Sequence, residues 1–295
     1  MVQTRSTETG LIDLHTHTNE SDGSYTPAQL VEAALELKLE ALAITDHDTF
    51  AGYDSAAPLA RARGLDLACG IEMSVRMAFE RGGAKTVHLL GYFLDEPASP
   101  NFREWILELQ AGRRERNVRL VQKLQSLGVD ITLAEVEARG RSLAGRPHFA
   151  KILIEKGYAK NTEQVFRDFI GEAAPGYVER DSPHLAFAIQ QVIAGGGIPV
   201  AAHPIRLGFR KHEEEEAAIA EMRDAGLEGL EVFHSDHTAQ DSTRYLALAK
   251  KYGLAITGGS DFHGSAKPHV NLGSGVNGNV EVAKRLLDDL RRLRH

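Results

Sequence analysis

Seven short apolar runs, each followed or preceded by a stretch of helical periodicity, constrain this chain more than any other feature. They cover residues 11–17, 41–47, 65–75, 87–94, 198–203, 229–234 and 254–258. Runs this short suit strands rather than helices, and strands alternating with helices imply βα units in a mostly parallel sheet or barrel. The helix signals agree. Thr26–Pro27 supplies an N-cap residue and a proline at the first helical position. A helix is expected over 51–63, and a turn containing Gly82 and Gly83 is expected between the third and fourth runs.

The pattern changes between Pro97 and Pro183, where only helices are expected. One spans 101–127, with Phe102, Trp105, Ile106 and Leu109 on a single stripe. A second opens with the capping box Thr132-x-x-Glu135, and others cover 148–156 and 162–170. The expected organisation is an α/β body over 1–97 and 184–295, interrupted by a small helical domain over 98–183 that serves as a lid or substrate domain. A length of 295 residues, with 42% hydrophobic and 25% charged, suits a globular enzyme rather than a disordered or fibrous chain. The net charge of −7 argues against a general nucleic-acid coat protein. The one cysteine, Cys69, excludes an internal disulfide and any CxxC motif. A polar start and the lack of a long apolar run lead us to expect a cytoplasmic protein with no membrane attachment and no obligate protein partner. The acidic run from Glu213 to Glu216 opens a helix, where negative charge suits the dipole, and is read as a solvated face.

Parallel α/β architectures collect chemistry just beyond the carboxyl ends of their strands. Most of the apolar runs here end in a metal-ligating residue. His15 and His17 close the first, with Asp22 in the next loop; Thr45-Asp46-His47-Asp48 closes the second, and Glu72 sits in the third. His203, His234, and Asp261 with His263 close the last three, while His88 opens the fourth and falls on the wrong end by this rule. A single histidine at a strand end is more often a hydrogen-bonded core or loop residue. A joint set of imidazoles and carboxylates is costly to bury unless cations compensate it. The set exceeds the three or four ligands of one zinc ion, so two or three divalent ions are expected, and its chemistry admits Mn, Fe or Zn.

His15-Thr16-His17 with Asp22, Thr45-Asp46-His47-Asp48, Ala202-His203-Pro204 and Ser260-Asp261-Phe262-His263 resemble the four motifs of the polymerase and histidinol phosphatase (PHP) family. Glu72 and His88 match its two additional ligands, and the helical segment around Gly145-Arg146-Pro147-His148 resembles that of the stand-alone PHP phosphoesterases. That subgroup includes nucleoside 3′,5′-bisphosphate phosphatases and a 5′-to-3′ exoribonuclease. The resemblance implies a distorted (β/α)7 barrel with an inserted helical domain. It implies that His15, His17, Glu72 and Asp261 hold a first metal; that Glu72, His88 and His203 hold a second; and that Asp22, His47 and His263 hold a third. Asp22 stands where some trinuclear relatives have histidine. The resemblance makes Mn2+ the first metal to assay and overrides the misplacement of His88.

Two adjacent cations can acidify a shared water and clamp a phosphoryl oxygen, so in-line hydroxide attack on a phosphomonoester is expected. His234, a candidate proton donor, joins Glu72 and Asp261 as the catalytic set. Phosphate recognition favours planar guanidinium donors. Arg206, Arg146 and Arg180, with His148 and more weakly His237, are the substrate-binding candidates, and a second phosphate would explain several arginines; a surface position is the plainer reading of His237. Arg113, Arg114, Arg116, Arg119 and Lys123 on the long helix are read as a solvated face in preference to an RNA track. The expected substrate is a nucleoside 3′,5′-bisphosphate. Short 5′-phosphorylated RNA and histidinol phosphate are the alternatives; an amide or lactone hydrolase and a non-catalytic module are the more distant ones.

Overall fold

The computed structural model describes residues 10–81, 83–140 and 143–294. The polar start up to residue 9 and Gly82 of the expected turn lie outside them. Seven strands form one sheet in chain order: β1 (Ile12–Asp13), β2 (Ala41–Ile44), β3 (Asp66–Phe79), β4 (Gly83–Phe93), β5 (Ile198–Ala201), β6 (Gly229–His234) and β7 (Ala255–Gly259). β2 and β5 are buried at every position, as expected of short strands covered on both faces. The sheet nearly closes on itself. Leu14 N–H donates to Gly258 O at 3.2 Å, His17 N–H to Phe262 O at 2.9 Å and Asp261 N–H to His15 O at 2.8 Å. The result is the α/β barrel that the alternation of runs implies.

The six neighbouring pairings are not all alike: β1–β2, β2–β3, β5–β6 and β6–β7 are parallel, whereas β4 runs antiparallel to both β3 and β5. This reversal resolves the misplacement of His88. Because β4 is reversed, its midpoint residue His88 stands opposite Ser74, two residues beyond Glu72 along β3 and so toward the carboxyl end of that strand.

The helices are α1 (Pro27–Glu36), α2 (Ala51–Arg63), α3 (Pro100–Ser126), α4 (Leu133–Gly140), α5 (Arg146–Glu155), α6 (Thr162–Val165), α7 (Leu185–Ala194), α8 (His212–Asp224), α9 (Ala239–Tyr252) and α10 (Arg285–Arg291). Thr26 forms a capping box with Gln29 on α1, and Thr132 forms one with Glu135 ahead of α4. A π-helical turn, Phe166–Ile170, extends α6. No strand occurs among the described residues of 98–183. The first turns of α3 bury Phe102, Trp105 and Ile106 in the barrel's outer core, while Leu120, Val121 and Leu124 join Phe149, Leu153 and Val165 in a separate core. One long helix thereby anchors the insertion to the barrel. The acidic run is not uniformly solvated: Glu215 is buried, accepting from Tyr245 Oη at 2.5 Å and Arg244 Nε at 2.9 Å. Among the described residues no helix is long and apolar enough to cross a membrane.

Candidate metal centre

The ends of β1, β2, β5, β6 and β7, with the middle of β3 and β4, converge on one carboxylate. Glu72 Oε2 lies 3.4 Å from His15 Nε2, 3.2 Å from His17 Nε2 and 3.2 Å from His47 Nδ1. Its Oε1 lies 2.8 Å from His88 Nδ1 and 2.9 Å from His203 Nε2. Asp261 faces the same rings, with Oδ1 3.6 Å from His15 Nε2 and 3.4 Å from His17 Nε2. On the far side of His17, Asp22 stands 3.2 Å from His263 Nε2 and 3.8 Å from both His17 Nδ1 and His47 Nε2. All nine sequence-predicted ligands therefore gather at one mouth. They fall into overlapping sets close enough to share an ion: His15, His17 and Asp261; His15, Glu72 and His203; His47, Glu72 and His88; and His17, Asp22, His47 and His263.

The chemistry of this donor set fits divalent cations. His15 Nε2, both nitrogens of His17 and His47 Nδ1 are buried without a hydrogen-bond partner. So many orphaned imidazole nitrogens would be expensive unless they served as ligands. Protons stand in for the charge the cluster lacks. Burial opposes charge on His17, yet the carboxylates of Asp261 and Glu72 close beside it raise its pKa to about 9. Burial instead wins at His47 and drives it down to about 4. Burial would raise Glu72, but the histidines around it, His47 and His88 foremost, hold it well below the usual carboxylate range.

An outer layer orients the ligands. Glu231, absent from the sequence-predicted set, accepts from His15 Nδ1 at 2.8 Å and from His203 N–H at 2.6 Å, turning His15 Nε2 toward the cluster. Asp13 and Asp46 do comparable work from beneath, Asp13 holding Ser260 and Asp46 holding Thr18 and Ser21. Glu231 and Asp13 could have been suspected from a charged residue inside a buried strand, since such residues are rarely buried unpaired. His203, Asp261 and Asp48 all have positive φ (28°, 56° and 52°), backbone strain of the kind found at functional sites. His234 Nδ1 accepts from Asp236 N–H at 3.0 Å, so the neutral ring carries its proton on Nε2, 3.4 Å from Asp261 Oδ2.

Beside the cluster, a cavity of about 220 Å³ opens between Asp22, His47 and His88 on one side and the insertion on the other, where Arg113, Arg116, Arg146, His148, Phe166, Tyr177 and Arg180 line it. Arg146, His148 and Arg180 are thus brought together as the sequence suggests. Arg113 and Arg116 are buried, at 7% and 4% exposure, and are not part of a solvated face; Arg114, paired with Glu137, is. Burial and the neighbouring guanidiniums of Arg113, Arg146 and Arg180 push Arg116 down to about 9. Arg206 stands apart from this cavity, bound to Asp236 at 2.7 Å and to Asp261 at 2.9 Å, with Lys267 at 2.6 Å on the same Asp261 oxygen. His237 is buried rather than on the surface, its Nδ1 donating to Val232 O at 2.9 Å.

A barrel with a histidine and carboxylate cluster at one mouth and a cationic cavity beside it defines a metal-dependent hydrolase of phosphate esters. The chain belongs to the PHP domain family, whose model matches residues 13–184, a span that takes in His15 through His88 but stops short of His203. It is 33% identical over 254 residues to a 3′,5′-nucleoside bisphosphate phosphatase of Chromobacterium violaceum, covering 85% of this chain and 87% of the relative. It is 29% identical over 251 residues to a 5′-3′ exoribonuclease of Haemophilus influenzae, covering 85% and 89%. A crystal structure from Bifidobacterium adolescentis, provisionally assigned as a metal-dependent phosphoesterase, superimposes with a TM-score of 0.80 at 33% identity over 96% of each chain.

Proposed function

We propose that the chain removes the 3′-phosphate of nucleoside 3′,5′-bisphosphates to give the 5′-monophosphate. The arginine-lined cavity carries this reading. Among the described residues no carboxylate pairs with Arg116 or Arg146, so the cavity holds more cationic charge than the protein neutralises. A phosphate at the metal cluster leaves these guanidiniums unused; a second phosphate on the same molecule satisfies them. The name of the Chromobacterium relative points the same way.

In this reading His15, His17, Glu72 and Asp261 hold one ion, Glu72, His88 and His203 a second, and Asp22, His47 and His263 a third, with Mn2+ as the metal. Divalent cations supply a nucleophile at neutral pH by acidifying water and neutralise charge on a transferring phosphoryl group. Arg146 and Arg116, with Arg113 and Arg180 behind them, grip the 5′-phosphate and fix the ester bond against the cluster. His148, whose Nδ1 accepts from Gly145 N–H at 3.0 Å, presents its other edge to the same cavity. His234 gives its Nε2 proton to the departing 3′-oxygen, and Arg206 steadies Asp261 from the opposite rim. The segment 98–183 acts as the substrate domain. The reaction takes place in the cytoplasm on small nucleotides and needs no protein partner.

The test is phosphate release from adenosine 3′,5′-bisphosphate with Mn2+, beside AMP and a 5′-phosphorylated oligoribonucleotide, with Asp261→Asn as the blank. The bisphosphate is expected to turn over fastest and to yield AMP. Arg146→Ala should raise its KM about tenfold while changing KM for p-nitrophenyl phosphate less than about twofold. Preference for the oligonucleotide would transfer the function to the exoribonuclease of the second relative. Equal effects of Arg146→Ala on both small substrates would remove the argument from the arginines.

A further inference from the structure

Asp48 follows His47 in the loop after β2, yet it belongs to none of the sets close enough to share an ion. It is fully buried and does not line the cavity. Its backbone is held from both sides: N–H donates to Glu72 O at 3.0 Å, and the carbonyl accepts from Gln110 Nε2 of α3 at 2.8 Å. Those bonds support a left-handed φ of 52° in a non-glycine residue. Its carboxylate receives two arginines from separate parts of the insertion. Arg113 of α3 donates from Nε at 3.1 Å and also from its terminal nitrogen, and Arg180, beyond the π-helical turn, approaches the same Oδ2 at 2.9 Å.

We propose that Asp48 is a positioning residue that holds Arg113 and Arg180 as a fixed pair in the cavity wall, tying the insertion's grip on substrate to the loop that carries His47. The proposal rests on the reading above that the cavity takes the substrate's second phosphate. Five arginines among the described residues line this cavity, Arg76, Arg113, Arg116, Arg146 and Arg180, and without a buried anion their mutual repulsion would splay them toward solvent. One carboxylate behind the wall offsets part of that repulsion and occupies only one edge of each guanidinium. Arg180 meets Asp48 as an ion pair, and its Nε and Nη2 are both buried without a hydrogen-bond partner, donors still available on a side chain held by charge.

Asp48→Asn preserves the volume and removes the charge. We expect KM for adenosine 3′,5′-bisphosphate to rise about tenfold with kcat within about threefold and metal content unchanged. Amide hydrogen exchange over 177–183 should quicken about tenfold while β2 and β3 stay protected. Unchanged exchange over 177–183 overturns the proposal whatever the substrate proves to be. A fall in kcat with lost metal and an unchanged KM overturns it too, because Asp48 would then act through His47 alone. If the wild-type protein fails to hydrolyse the bisphosphate, the reading above falls and the exchange measurement still decides the role of Asp48. Should Asp48→Asn not fold, Arg180→Gln is expected to show the same faster exchange, and no change there is the contrary result.

Discussion

At Glu72 two carboxylate oxygens diverge to separate groups of imidazoles, at 2.8–3.4 Å, so that one side chain reaches two groups of candidate ligands at once. Such residues were legible because each ends or interrupts an apolar run, where a polar side chain needs a reason. His237 was not, since a histidine in a loop after a strand carries no sign of its burial. Its ring packs 4.8 Å from that of Tyr245, and burial, only partly offset by its bond to Val232 O, lowers its pKa to about 4. The unfolded chain, with an ordinary value near 6.5, therefore takes up this proton first as pH falls. The stability this group supports is complete above about pH 6.5 and is lost down to about pH 4, a loss of about 3 kcal/mol. Denaturant titrations of the metal-free protein across that window should show a shallower decline for His237→Gln than for the wild type. Identical slopes would mean that other groups set the acid limb. Arg113 and Arg116 escaped notice for a related reason. Polar neighbours on a helix read as solvated until another segment covers them, and the covering segment, which includes Arg146 and Arg180, comes later in the chain.

Among the elements, the parallel strands and most helix starts were legible because their periodicity and caps are local. The direction of β4 was not. A hairpin and a crossover can join similar apolar runs, and the choice rests on the short connection between Phe79 and Gly83, which permits only an antiparallel return. The seam between β7 and β1 is equally invisible to local patterns. It depends on Gly259, where a Cβ would stand 2.3 Å from His15 N and 2.4 Å from His15 Cβ. Gly259→Ala must open the seam that carries both His15 and Asp261. We expect it to lower stability by about 3 kcal/mol and to reduce bound metal in proportion. Measured metal content equal to that of the wild type would show that the seam can widen without moving the ligands.

For the whole molecule, the buried cluster makes folding and metal loading one equilibrium. Ions that bind the folded chain and not the unfolded one stabilise it by about 4 kcal/mol at a thousand times their dissociation constant. Dialysis against a chelator should abolish phosphoesterase activity and lower the melting temperature, and added Mn2+ should restore both. Recovery of activity without recovery of the melting temperature would separate catalysis from the fold. The insertion remained only partly legible at this scale: its helices could be read one by one, but not that α3 serves two cores, burying Trp105 with the barrel and Leu124 with the insertion.

The seam has a further consequence in the order of synthesis. His15 and Asp22 leave the ribosome long before their respective partners Asp261 and His263 exist. A nascent chain that has reached the insertion already displays His15, His17, Asp22, His47, Glu72 and His88, six of the nine ligands, without the carboxylate of Asp261. The full set of nine is therefore complete only after the last barrel strand has been made and docked against the first.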